Sequence, residues 1–202
     1  MHLIVVGAQR AGTTWLYDML RQHPRIGFAF LKEVHYFDKV EDAPQEISDK
    51  VLRLSQRLAN VPGWRHRVSY TLKKMSPNWR GYYRYVLDPH HAYTDEWYRG
   101  IFDRKPDNIA RTSRFGDYVR ADFTPRYMAM TETGVAHLAA AVPDNLPYLI
   151  VRDPLRRMLS SLSMLSARRS NLADELDDRT DAFLESRQVQ RADYQRAIPL
   201  LK

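Results

Sequence analysis

The chain has 202 residues, a formal net charge of +7, 44% hydrophobic residues and no cysteine. That length suffices for one domain with a core of its own, and the lack of cysteine excludes disulfides, zinc–thiolate sites and thiol nucleophiles. No apolar run approaches the roughly 20 residues of a membrane span, and the first strand follows Met1 too closely for a leader, so a cytoplasmic protein with no transmembrane segment is expected.

Residues 2–6 read as a buried strand. The loop Gly7-x4-Gly12-Thr13-Thr14 follows and runs into a helix over residues 13–22, with Trp15, Leu16, Met19 and Leu20 at helical spacing until Pro24 ends it. Strand, glycine-bounded loop and helix start together make an anion cradle, because loop N–H groups point inward and the helix N-terminus adds partial positive charge. The pattern differs from the nucleotide P-loop, G-x4-G-K-[ST], at one position. Thr13 stands in place of the lysine, and Arg10 supplies the cation from inside the loop. The ligand is therefore read as a phosphate-bearing nucleotide other than ATP or GTP, with Gly7 serving the turn itself.

Residues 26–29 suit a second strand, and residues 31–38 mix charge and aromatics as the mouth of a site would. Residues 41–60 carry Ile47, Val51, Leu54 and Leu58 on one helical face. The aromatic, basic stretch 61–93, with Trp64 and Trp79, reads as a lid with short helices; about 40–93 is then an insertion in a single domain over 1–202. The bland reading of that stretch is a lid packed on the core, the functional one a grip on a sugar or acidic glycan. A short amphipathic helix is expected over 95–102, a strand over 117–122, a helix over 131–142 and a strongly apolar strand over 146–151. Asp153 then caps a helix whose first residue is Pro154, and the tail 170–202 is polar and helical. Strands alternating with helices give an α/β fold with a mainly parallel sheet. Ligands in such sheets sit at the carboxyl ends of the strands, where the first loop and Arg152 face one crevice. The positive charge suggests an anionic partner, with a merely solvated basic surface as the alternative reading. Lys and Arg are dispersed among acids with no long basic block, which favours an anionic nucleotide or acidic polymer over nucleic acid.

Three segments together resemble the sulfotransferases that use PAPS (3′-phosphoadenosine 5′-phosphosulfate), in the carbohydrate (heparan-sulfate-like) and bacterial branches. Residues 7–16 are similar to their 5′-phosphosulfate loop. Lys32-Glu33-Val34-His35-Tyr36-Phe37-Asp38 resembles their K-E-x-H-[FY]-F-D block, and Arg152-Asp153-Pro154-Leu155-Arg156-Arg157-Met158-Leu159-Ser160 their R-[DN]-P-x-x-R-x-x-S motif for the 3′-phosphate. Asp122-Phe123-Thr124-Pro125-Arg126-Tyr127 is a weaker fourth match, to E-K-[ST]-P-x-Y, and Asp193-Tyr194 a faint echo. The resemblance implies a P-loop-NTPase-like α/β sheet flanked by helices. It departs from the family at Phe123, which replaces a lysine, and at Lys202, where the chain stops and relatives continue.

The resemblance also implies roles. Arg10 is assigned to the charge developing on the leaving 5′-phosphate; Ala11, Gly12, Thr13 and Thr14 to binding that phosphate; Arg152 and Ser160 to the 3′-phosphate. Glu33 is the general base for an acceptor hydroxyl or amine, Lys32 contacts the transferring group, and His35 orients Glu33 or the acceptor. Arg157 matches the motif or braces structure, Thr124 and Tyr127 are weak site candidates, and Trp15, Tyr36 and Phe37 belong to the core. A sulfuryl group carries less charge than a phosphoryl group, so side chains are expected to suffice without a metal. The acceptor is expected to be a carbohydrate or small metabolite. Two alternatives stay open: a truncated nucleotide- or glycan-binding module without turnover, and a P-loop nucleotide kinase.

Overall fold

The computed structural model describes residues 1–40, 76–88, 90–168 and 193–200. The helix expected over 41–60, the greater part of the lid with Trp64, and most of the tail lie outside the described residues.

The apolar run after Met1 forms β1 (His2–Gly7), in which Ile4, Val5 and Val6 are fully buried. A strand apolar on both sides needs cover on both faces, as parallel sheets provide. β1 is indeed interior to an all-parallel sheet of order β2-β3-β1-β4, with β2 (Ile26–Phe28), β3 (Val119–Phe123) and β4 (Asn145–Leu149). One face is covered by α1 (Thr13–Leu20), whose Leu16, Tyr17 and Leu20 pack on Val5, Phe28 and Phe123. On the other face lie α2 (Phe37–Val40), α3 (Pro77–Val86), α4 (Asp95–Asp103) and, after α5 (Pro106–Phe115), α6 (Glu132–Ala141). Their Tyr82, Trp97, Tyr98, Ile101, Phe102 and Leu138 close over Ile4 and Val6. A 3-10 turn at Pro125–Ala129 leaves the end of β3, α7 (Pro154–Arg168) follows β4, and α8 (Tyr194–Leu200) comes last.

Several elements differ from the sequence reading. α5 was not expected. Its Asn-Ile-Ala-Arg-Thr-Ser-Arg run carries little apolar periodicity, yet Pro106 opens it and Gly116, with φ of 78°, closes it. α1 ends at Leu20 because the N–H groups of Gln22 and His23 turn back to Met19 and Leu20. β3 lies one or two residues later than read, its register fixed by Val119 opposite Ile26 and Phe123 opposite Val5. Trp15 is not core but 68% exposed, since the buried stripe of α1 runs through Leu16 and Leu20. Tyr36 and Phe37 are buried as expected. Among the described side chains of α7, Arg157 and Ser161 are buried, while Leu155 and Leu159 face outward.

Candidate active site

The loop after β1 is tied to the next strand on its edge. Ile150 N–H donates to Gly7 O, and Ala8 N–H to Ile150 O. Gly7 does not serve the turn through a left-handed conformation. A Cβ there would stand 2.9 Å from Met128 Cβ, so the position needs glycine for close approach. The left-handed residue is Gly12, φ 103°, at the N-cap of α1. No side chain caps this helix, and an α-helix leaves its first N–H groups without intrahelical partners. Thr13 is buried, so of the two threonine hydroxyls only that of Thr14 is at the surface.

The lysine missing from the loop arrives from another segment. Lys32 Nζ donates to Thr14 Oγ1 at 2.6 Å and lies 3.9 Å from Glu33 Oε1. Glu33 itself is held at the carboxyl end of β3, where its N–H donates to Phe123 O at 3.0 Å. Phe123, standing at the family's lysine position, points into the core beneath α1, against Tyr17 and Phe28.

His35 sits between two carboxylates: Nε2 is 3.4 Å from Glu33 Oε2 and Nδ1 is 3.0 Å from Asp38 Oδ2. Burial disfavours its charged form, but the hydrogen bonds and charges of Asp38 and Glu33 outweigh that and push the imidazole up to about 9. His35 is thus an imidazolium at neutral pH, donating on both sides. Asp38, 5% exposed, also accepts from Arg126 Nε at 3.1 Å. Behind this row is a buried anchor. Asp122 is 1% exposed and accepts from Tyr98 and Tyr127 hydroxyls at 2.9 and 3.1 Å and from Thr124 Oγ1 at 2.7 Å. Those partners hold the chain in turn: Tyr127 Oη accepts from Tyr36 N–H at 3.1 Å, and Thr124 Oγ1 from His35 N–H at 3.5 Å. Burial raises Asp122 to about 6 against the pull of its three hydroxyl donors.

On the other flank, Asp153 caps α7 by accepting from Arg156 N–H at 2.7 Å. Arg152 Nη1 donates to Arg10 O at 2.7 Å, and Arg10 Nε donates to Ser160 Oγ at 3.0 Å. Arg157 is 3% exposed; burial lowers its pKa, against the raising effect of Tyr194.

Non-glycine residues with positive φ are, among the described residues, Arg10 (65°), Glu33 (62°), His35 (57°) and Tyr93 (63°). Each costs on the order of 1–3 kcal/mol and persists only where its surroundings enforce it, typically at functional sites. Three of the four are candidates chosen from sequence alone.

A family model described as the sulfotransferase family matches residues 3–199. The chain belongs to this family. Comparison with curated proteins and with solved structures gave no match. As a sulfotransferase it has the expected α/β, P-loop-like parallel sheet flanked by helices. No helix among the described residues is long and apolar enough to cross a membrane. Of the candidates, Lys32 and Thr14 are in direct contact, as are Glu33 and His35, Arg152 and Arg10, and Arg10 and Ser160. The roles of Asp38 and Asp122 were missed. Asp38 stood inside the block already marked, at hydrogen-bonding distance in sequence from His35. Asp122 stood in the weak fourth match, but its partner Tyr98 is 24 residues away.

Proposed function

We propose that this sulfotransferase uses PAPS and transfers the sulfuryl group to a hydroxyl or amine, on a carbohydrate or small metabolite. The observation that carries the reading is the meeting of two distant segments at one loop: Lys32 on Thr14, and the 152–160 segment through Arg152 on the carbonyl of Arg10 and Ser160 on Arg10 Nε. The chain fits a 3′,5′-bisphosphorylated nucleotide. The uncapped start of α1 suits one phosphate, and the pair Arg152–Ser160 suits a second.

PAPS supplies an activated sulfuryl group with a phosphate as leaving group. Gly12, Thr13 and Thr14 bind the 5′-phosphate through N–H groups, with Thr14 adding its hydroxyl and Ala11 shaping the loop. Arg10 offsets the charge developing on the leaving phosphate, a contribution that electrostatic preorganisation makes large. Lys32, which reaches Thr14, would neutralise charge on the transferring group. Glu33 takes the proton from the acceptor. His35, charged and held by Asp38, keeps the Glu33 carboxylate oriented. For the acceptor, the half-buried Trp79 and Tyr83 stack at 5.9 Å on α3, with exposed Arg84 on the same helix. Aromatic faces and arginines of this kind suit a sugar bearing acidic groups.

Calorimetric titration with PAP, the desulfated product, and with ATP tests the cofactor. PAP binds far better than ATP in the native protein, and Arg152→Ala loses much of that difference, about 2 kcal/mol for a charged hydrogen-bonding partner. Equal affinity for the two nucleotides would remove PAPS from the account.

A further inference from the structure

Arg152 lies on the surface, in a stretch that follows β4 and belongs to no strand or helix. Its guanidinium can be aimed only if its backbone is held. One side chain supplies that hold. The Tyr194 hydroxyl accepts from Arg152 N–H at 3.2 Å and donates to Arg152 O at 3.2 Å, so a single group satisfies both main-chain polar atoms of the residue. Tyr194 is half-buried and begins α8. That helix is seated from beneath: Ala197 is 3% exposed and packs with Ala8 of the loop and with Met128, and Tyr194 joins the same cluster. Ala8 is in turn bonded to Ile150, two residues before Arg152. The circuit therefore closes: loop, β4 end, Arg152, Tyr194, α8, and back to the loop.

We propose that Tyr194 is a positioning residue for Arg152: by gripping both backbone polar groups, it fixes the arginine where a 3′-phosphate is recognised. The inference rests on the assignment of Arg152 to that phosphate. A hydroxyl that both donates and accepts is required, because the N–H and C=O of Arg152 belong to the two peptide units flanking its Cα, and a bond to one alone would leave the other free to turn. Phenylalanine keeps the ring and its packing but supplies neither bond. Tyr194→Phe therefore acts through the lost hydroxyl, on Arg152 and on the neighbouring Arg157, and the Arg152→Ala background tells the two apart.

Two measurements on the full chain test this. The first needs no nucleotide: amide hydrogen exchange at Arg152 in the native protein and in Tyr194→Phe. Exchange accelerates about tenfold in the variant while the exchange of β1 and the Tm stay as they are; unchanged exchange would overturn the grip. The second is the ratio of affinities for PAP and for 5′-AMP, which lacks the 3′-phosphate. Tyr194→Phe lowers PAP affinity about tenfold, leaves 5′-AMP affinity unchanged, and has no further effect in an Arg152→Ala background. An equal loss for both nucleotides, or additivity with Arg152→Ala, would show that Tyr194 acts on the ligand or the fold and not through Arg152. If the native protein itself binds PAP and 5′-AMP equally, the 3′-phosphate assignment fails and the inference with it. A native preference that survives in Tyr194→Phe sinks the inference alone.

Discussion

The two flanks of the loop are built differently. Residues 32–38 are wired to the interior: Asp38 is 5% exposed and Asp122 1%, and through them Arg126, Thr124, Tyr98 and Tyr127 fix the backbone and imidazole around Glu33. Arg152 is exposed and Ser160 half-buried, and apart from the buried Arg157 the stretch 152–160 is held near the surface, by hydrogen bonds to the exposed Arg10 and the half-buried Tyr194. The difference matches the chemistry proposed for each. A proton acceptor works only within a narrow geometry, so its supports are buried, where polar interactions are strong and costly to disrupt. A phosphate ligand must exchange protein partners for a diffusing anion, so its contacts are exposed and individually weak.

Substitutions on the two flanks should separate in kind as well as size. The largest effect is expected at Glu33. Glu33→Gln should lower sulfuryl transfer to a panel of glycans and phenols by about 10²–10⁴-fold, the usual worth of a general base, while PAP still binds; full activity in the variant removes Glu33 as base. Next comes Asp38→Asn. It takes a buried charge from His35 and Arg126, so a loss of about 3–5 kcal/mol in stability is expected, near 2–4 °C in Tm per kcal/mol at this size. Turnover should fall in parallel with little change in PAP affinity. A loss of PAP affinity instead would dissolve the division between the flanks.

A smaller effect should appear in pH dependence. His35 is raised to about 9 in the folded chain and returns to about 6.5 when unfolded. The folded state thus holds the proton more tightly. The stabilisation is full below about pH 6.5 and is lost as pH rises through about 9. Thermal unfolding of native protein and His35→Gln between pH 6 and 9.5 should give a Tm gap that shrinks toward zero at the alkaline end. A gap independent of pH means that the imidazole acts by shape and not by charge. The smallest effect belongs to Ser160→Ala on the exposed flank. About 0.5–1.5 kcal/mol of PAP affinity should go, with Tm unmoved; a drop in Tm would mean that the Arg10–Ser160 bond supports the fold.

The same contrast explains what the sequence disclosed. β1 was legible because a strand covered on both faces must be continuously apolar, and Leu3 to Val6 leave no other reading. The loop, Glu33 and Arg152 could be proposed because they stand at strand ends in short patterns. Asp122 was not, because its role depends on Tyr98 and Tyr127, 24 residues before it and 5 after it. Tyr194 was no more than an echo for the same reason: its partner is 42 residues away. α5 was hidden since its buried contacts come from Asn108, which donates to Phe28 and Phe102 carbonyls, and not from an apolar stripe. Trp15 misled because a large aromatic in a helix is ordinarily core, while this one faces solvent beside the loop.

The lysine that touches the loop is borrowed. In a nucleotide loop of the usual kind, the ammonium and the N–H groups are contiguous and travel as one cassette; here Lys32 belongs to the segment that also carries Glu33. Grafting residues 7–16 onto another parallel sheet would transfer an anion cradle without its ammonium. The two halves must be transplanted together, or the recipient gains the loop proposed to hold a phosphate without the groups proposed to act on it.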